Sequence, residues 1–178
     1  MAALTLDPRK LLFRPRGRLN RPNFAVGLVL FLAVTALAGV IMRALDPATG
    51  AGFYFGLFFA IAWMFMLYSV FGQRLHDMGK NVWPLTGVLA LLFVLFISVA
   101  MAYGGAEYVD AYSEFERKDI IDPEVKAELD AAYEAELAEG AGRTLNLVLG
   151  GVMGAFTLWL LLAKGQTEEN RYGFPSAE

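Results

Sequence analysis

The residues whose types and spacing could do chemistry lie in one stretch, Arg74-Leu75-His76-Asp77-Met78-Gly79-Lys80. It holds the chain's single histidine beside a carboxylate, with an arginine two residues before that histidine. Histidine with an acidic neighbour suggests a general base and its orienting carboxylate. Adjacent residues rarely turn their side chains toward each other with that geometry, and no serine or cysteine nucleophile motif accompanies the pair. A metal site would need further ligands near His76, and only Asp77 is close in sequence. No catalytic, metal-ligating or cofactor-binding residue is expected, and the chain does not read as an enzyme. A structural lock fits the pattern better. Asp77 can pair with Arg74, while His76 bonds a helix-terminal carbonyl or the C-terminal tail. Gly79 then supplies a turn and Asn81 caps the helix that follows.

The elements around this stretch are apolar and long. Of 178 residues, 57% are hydrophobic, above the roughly 45–50% of soluble domains, and the mean hydropathy is +0.47. The apolar residues come in blocks about as long as the ~20 residues a membrane-crossing helix needs. They place transmembrane helices at about 24–42, 53–71, 82–103 and 143–163. A basic arm precedes them (1–23), an acidic insertion lies at 104–142, and a polar tail closes the chain (164–178). The expected fold is all-α: a polytopic membrane protein, a bundle of four transmembrane helices. Its acidic, helical, extramembrane insertion falls between helices 3 and 4. Gly52, Gly56 and Ala60 recur every four residues in the second span, and Gly150 with Gly154 forms a GxxxG pair in the fourth. Such small residues let another helix approach closely. Trp83 stands at headgroup depth, where tryptophan is enriched.

Charge sets the expected orientation. The arm, the central stretch and the tail carry ten of the fifteen Lys and Arg residues. By the positive-inside rule both termini are cytoplasmic and the insertion faces outward. The arm's six basic residues stand against Asp7 alone, which suits anionic lipid. The arm is short, juxtamembrane and without a paired recognition motif, so nucleic acid is not an expected partner. Between Glu107 and Glu139 there are twelve acidic residues. Val125, Leu129, Tyr133 and Leu137 recur there at i, i+4, i+8 and i+12, one apolar stripe on a helix. Tyr108, Tyr112 and Phe115 form a second stripe. The first stripe is a candidate partner-binding face on the outer side, unless the second covers it.

Three segments together resemble a known family. Gly17-Arg18-Leu19-Asn20-Arg21 followed by Phe24 is similar to its G-R-hydrophobic-x-R-x-x-aromatic opening. Arg74-Leu75-His76-Asp77-Met78-Gly79-Lys80 with Trp83 resembles its central R-R-L-H-D-x-G-[RK]-S-G-W motif. Gly165 with Asn170-Arg171-Tyr172-Gly173-Phe174-Pro175 looks like its terminal G-x-x-x-x-N-x-Y-G-x-[DN]-P. The family is domain of unknown function 805, small inner-membrane proteins of bacteria. Gln73 departs from it where an arginine is usual, as do Asn81-Val82 in place of Ser-Gly, and Phe174 is the one residue between Gly173 and Pro175. The insertion replaces what is ordinarily a short turn. The resemblance implies a topology and a bacterial inner-membrane location, and brings no activity with it.

Apart from Arg143 at the very start of the fourth, the four spans contain no Asp, Glu, Lys, Arg or His, which argues against an ion pathway through one chain. The expected function is an accessory or scaffolding subunit that binds another membrane protein or a second copy of itself. The alternative is a small-solute transporter or lipid-handling protein acting as an oligomer.

Overall fold

The computed structural model describes residues 7–45, 50–117, 123–136 and 140–174. Its helices are α1 (Pro8–Phe13), α2 (Arg21–Ala44), α3 (Ala51–Asp77), α4 (Trp83–Ala100), α5 (Ala106–Arg117), α6 (Pro123–Glu136) and α7 (Gly142–Leu162). The described residues include no strand, only an isolated bridge between Asn170 and Gly173. Four segments are long and apolar enough to cross a membrane: Arg21–Ala44, Ala51–Asp77, Trp83–Tyr103 and Gly142–Leu162. The shortest have 21 residues, which at ~1.5 Å per residue match ~30 Å of hydrocarbon. The chain is an all-α, multi-pass membrane protein.

Local chemistry sets the helix starts. Asp7 caps α1, its carboxylate accepting from the Arg9 N–H at 3.0 Å, and Pro8 takes a first-turn position where no N–H is needed. Asn20 caps α2 in the same way through the Asn23 N–H. Three hydroxyls within the spans are satisfied locally. Thr35, Thr86 and Ser98 each donate to the carbonyl four residues back, and the Trp63 indole reaches Thr35 across to α2 at 3.1 Å.

The chain divides into two compact units, one built from residues up to Thr86 and from Leu158 onward, the other from Gly87–Thr157. In the first, α2 and α3 pack through an aromatic core. Phe24 meets Phe71 edge-on at 5.5 Å, and Phe31 touches both Phe71 and Trp63. Phe24, Leu67, Val70, Phe71 and Leu75 are fully buried. Gly27 lets the helices close on each other, since a Cβ there would already touch Val70 at 3.4 Å. Gly56 lies as tightly against the Met42 side chain, and Gly52 beside Met42 and Leu45. Ala60, next along that row, lines a shallow apolar groove with Leu57 and Met64.

In the second unit the helix of the third span does not stop at residue 103, where its apolar run was expected to end. Met101–Gly105 forms one widened π-type turn, and the helix runs on into α5. Such a turn absorbs an extra residue within a helix, so Gly104-Gly105 does not end the element. Tyr103, on that turn, lies over Gly140, and its hydroxyl sits 2.8 Å from the Thr144 hydroxyl at the start of α7. The two ends of the insertion are thereby joined. Tyr108 stacks on Tyr112 within α5 and, across to α6, on Tyr133 at 4.6 Å, and its hydroxyl donates to the Asp130 carboxylate at 2.8 Å.

Candidate functional site

The chemically distinctive stretch is helical for most of its length. α3 was expected to end near residue 71, where the apolar run stops, but it continues to Asp77. The polar residues of its last two turns are buried with partners, so loss of hydrophobicity does not mark the helix end. A Schellman motif does. The Gly79 N–H bonds the His76 carbonyl at 3.0 Å and the Lys80 N–H bonds the Leu75 carbonyl at 2.9 Å. Gly79 has φ +72°, a left-handed conformation in which a side chain is strained.

Arg74 and Asp77 face the same side one turn apart. The Arg74 side chain is fully enclosed, and Asp77 and Arg18 are nearly so. Arg74 Nη1 donates to Asp77 Oδ2 at 2.6 Å, and Arg18 Nε donates to Asp77 Oδ1 at 3.2 Å. One carboxylate thus bridges two arginines from distant parts of the chain. A buried triad of net positive charge needs further acceptors, and the backbone provides them. Arg74 reaches the carbonyls of Leu19, Leu160 and Ala163. Arg18 reaches those of Asp77, Gln166, Glu168 and Gly173. No buried side-chain nitrogen or oxygen among the described residues is left without a partner.

These carbonyls fall where the chain has spare acceptors. The last carbonyls of a helix lack intrahelical donors and carry the negative end of its dipole. Arg74 and Arg21 supply donors to the end of α7, with Arg21 on the carbonyls of Leu162 and Ala163 at 2.8 and 2.9 Å. The tail then turns back over α3. The Gln166 N–H bonds the Asp77 carbonyl at 2.8 Å, and the Asn170 side-chain amide donates to the His76 carbonyl at 3.0 Å. Gly165 makes this approach possible, because a Cβ there would collide with the Asp77 carboxylate. The His76 ring lies flat on Tyr172, centroids 3.8 Å apart, with Nδ1 3.2 Å from the Gly17 carbonyl. Arg171 covers the Tyr172 ring, and Lys80 stands 6.0 Å from the Trp159 ring.

The basic arm is fastened to the same assembly. Leu11 and Leu12 of α1 are buried, and the Leu11 carbonyl accepts from Ser69 Oγ and Gln73 Nε2 of α3 at 3.1 and 3.2 Å. The Leu19 N–H bonds the Gln73 carbonyl. Gln73, Ser69 and Gln166 have roles that the spacing of the motifs does not reveal. Gln73 stands out in the sequence only as a departure from the family pattern, and its amide, unlike a guanidinium, serves a carbonyl without adding charge.

The structure therefore brings together Gly17, Arg18, Arg21, Phe24, Arg74, Leu75, His76, Asp77, Gly79, Gly165, Asn170, Tyr172 and Gly173. Trp83 stands apart, 71% exposed, with its backbone N–H donating to the Asn81 side-chain oxygen. In the second unit, Tyr133 faces Tyr108, Leu129 is half-buried and Val125 is exposed. Within that unit no atom lies within 4 Å of a Cβ added at Gly150 or Gly154. Leu137 and Pro175 lie outside the described residues, and the Phe115 side chain does too.

The cluster is built for holding backbone. Both Asp77 oxygens are engaged by arginines, and His76 is sandwiched between the tail and the arm rather than turned toward Asp77. Neither curated proteins nor solved structures give a match. The family model described as "Protein of unknown function (DUF805)" matches residues 12–174, nearly the whole chain including every residue of the arginine cluster, and the chain belongs to that family.

Proposed function

We propose that the protein is a non-catalytic accessory or scaffolding subunit of the bacterial inner membrane, with both termini in the cytoplasm, that binds another membrane protein or a second copy of itself. The observation that carries this reading is the closed bonding of the arginine cluster. The residues able to do acid–base chemistry, His76 and Asp77, are engaged by Gly17, Tyr172, Arg18 and Arg74. Their arrangement fixes where the arm, the end of α3 and the end of α7 meet. The surfaces that remain are suited to association: the small-residue face of α7 at Gly150 and Gly154, and the side of α6 at Val125 and Leu129. The excess of Lys and Arg in arm, central stretch and tail supports the orientation.

Gentle extraction of the full-length protein with its surrounding lipid should recover a membrane protein in fixed stoichiometry, or a homo-oligomer. Val125→Asp with Leu129→Asp should release that partner if α6 is the recognition face, leaving the spans inserted. Gly150→Leu with Gly154→Leu should release it if α7 is. A solitary particle from the native membrane, unchanged by crosslinking before extraction, would overturn the reading.

A further inference from the structure

A cavity of about 290 Å³ lies between α1, the loop after it and the cytoplasm-directed ends of α2 and α3, apart from the arginine cluster's closed interior. Lys10, Arg14 and Arg16 line it against a single acid, Asp7, and Asn23 and Gln73 also line it. Arg18 also borders it, but its guanidinium is engaged by Asp77 and backbone carbonyls. Arg14 and Arg16 are exposed and make no hydrogen bond or ion pair within the described structure. The Asn23 side-chain amide is likewise unengaged, and the Lys10 ammonium is only 3.9 Å from Asp7 at the cavity's edge. The unbonded guanidiniums of Arg14 and Arg16 and the unengaged Asn23 amide, around a concave space carried on an anchored segment, call for an anion. Two guanidiniums add the planar, forked geometry that suits phosphate oxygens.

The position of the site identifies the source of the phosphate. α1 is held on α3 by its buried leucines and by the bonds from Ser69 and Gln73 to Leu11. Phe13, next to Arg14, is half exposed and stacks on Phe65, itself exposed on a membrane-crossing helix. The cavity is therefore anchored beside an exposed aromatic pair on a membrane-crossing helix, a position that suits a lipid headgroup. We propose that this cavity binds the phosphate headgroup of one anionic phospholipid, held by Arg14 and Arg16 with Lys10 and Asn23 completing the donor set. A fixed site of this kind differs from the diffuse attraction of any basic arm to a negative leaflet. It selects one lipid per chain, and it stands whether or not a protein partner is found.

The test uses the purified full-length protein in neutral detergent, titrated with short-chain phosphatidylglycerol, short-chain phosphatidylcholine and inorganic phosphate, with bound molecules counted by native mass spectrometry. Phosphatidylglycerol should saturate at one per chain, well ahead of the other two. Arg14→Gln with Arg16→Gln should weaken it roughly tenfold to thirtyfold. Both side chains are exposed and unbonded, so the unfolding temperature should not move. Asn23→Leu, altering the lining without changing charge, should weaken binding several-fold. Arg43→Gln, a basic residue at the other end of α2, should change nothing. Inorganic phosphate binding as tightly as phosphatidylglycerol would overturn the lipid assignment. Equal losses from Arg43→Gln and the arm variant, or no saturation at one lipid per chain, would reduce the site to bulk charge and overturn the proposal outright.

Discussion

The arginine cluster and the α5–α6 hairpin are both rich in charge, and they use it in opposite ways. In the cluster three charged groups are buried, each meets several partners, and those partners come from the arm, α3, α7 and the tail. In the hairpin the charge is more abundant and overwhelmingly acidic, yet much of it is exposed, and its contacts between the helices include a hydroxyl–carboxylate bond from Tyr108 to Asp130 and Lys126 near the Tyr112 ring. The two helices also meet through Tyr108 of α5 stacked on Tyr133 of α6. Buried charge must be satisfied by specific neighbours, so it dictates geometry, whereas solvated charge keeps a surface wet and dictates little. The comparison places structural specificity in the cluster and leaves the hairpin free to vary.

The sharpest way to break this contrast is to remove the shared carboxylate. Asp77→Ala leaves Arg18 and Arg74 buried without their counter-charge, a loss of about 3–5 kcal/mol for a buried pair broken on one side. Equilibrium unfolding in detergent should show a loss of that order, while Glu169→Ala, on the exposed tail, should stay within about 0.5 kcal/mol of the parent. Comparable small effects from both would mean the cluster's charges are solvated like the hairpin's.

A smaller effect is expected where the tail passes α3. Gly165→Val places new atoms where the Asp77 carboxylate lies, and overpacking of this kind costs about 1–3 kcal/mol. The tail should lift before the helices separate. Limited proteolysis at Arg171 should therefore accelerate at temperatures where the spans remain folded. Unchanged cleavage would show that the tail does not depend on its closeness to Asp77.

How much of this was legible in the sequence follows the same division. The four spans are written in the apolar blocks, because a membrane allows few alternatives to a helix of that length. The central motif announced its own importance, since Arg, His, Asp and Gly at those spacings sit between two spans. The Arg74–Asp77 pairing could be read because it is local, one helical turn. Arg18–Asp77 could not, for it joins residues 59 apart and depends on how α1 and the following loop dock. The roles of Ser69 and Gln73 were hidden by the assumption that α3 ends with its apolar run. In the hairpin the stripe through Tyr133 was plain, but whether Tyr108 or another chain would cover it was a tertiary question. Periodicity marks which side of a helix is apolar without naming what meets it.

The smallest expected effect tests the hairpin's bond between Tyr108 and Asp130. The hydrogen bond from Tyr108 to the Asp130 carboxylate, followed by partial desolvation and the nearby charge, raises the phenol above its ordinary value of 10.0. In the unfolded hairpin that phenol titrates at the ordinary value, so the folded form holds its proton more tightly. The hairpin's stabilisation from this bond is therefore complete below about pH 10 and is lost as pH climbs through the folded-state value. Hydrogen exchange at α5 and α6 amides, corrected for its intrinsic rise with pH, should show protection falling in that alkaline window. Tyr108→Phe keeps the ring stack and removes the ionisable hydroxyl, so it should weaken protection slightly at neutral pH and abolish the alkaline loss attributed to this bond. If Tyr108→Phe retains the full alkaline loss, Tyr108 is not the group responsible, and the hairpin's order rests on the tyrosine stack without help from its acids.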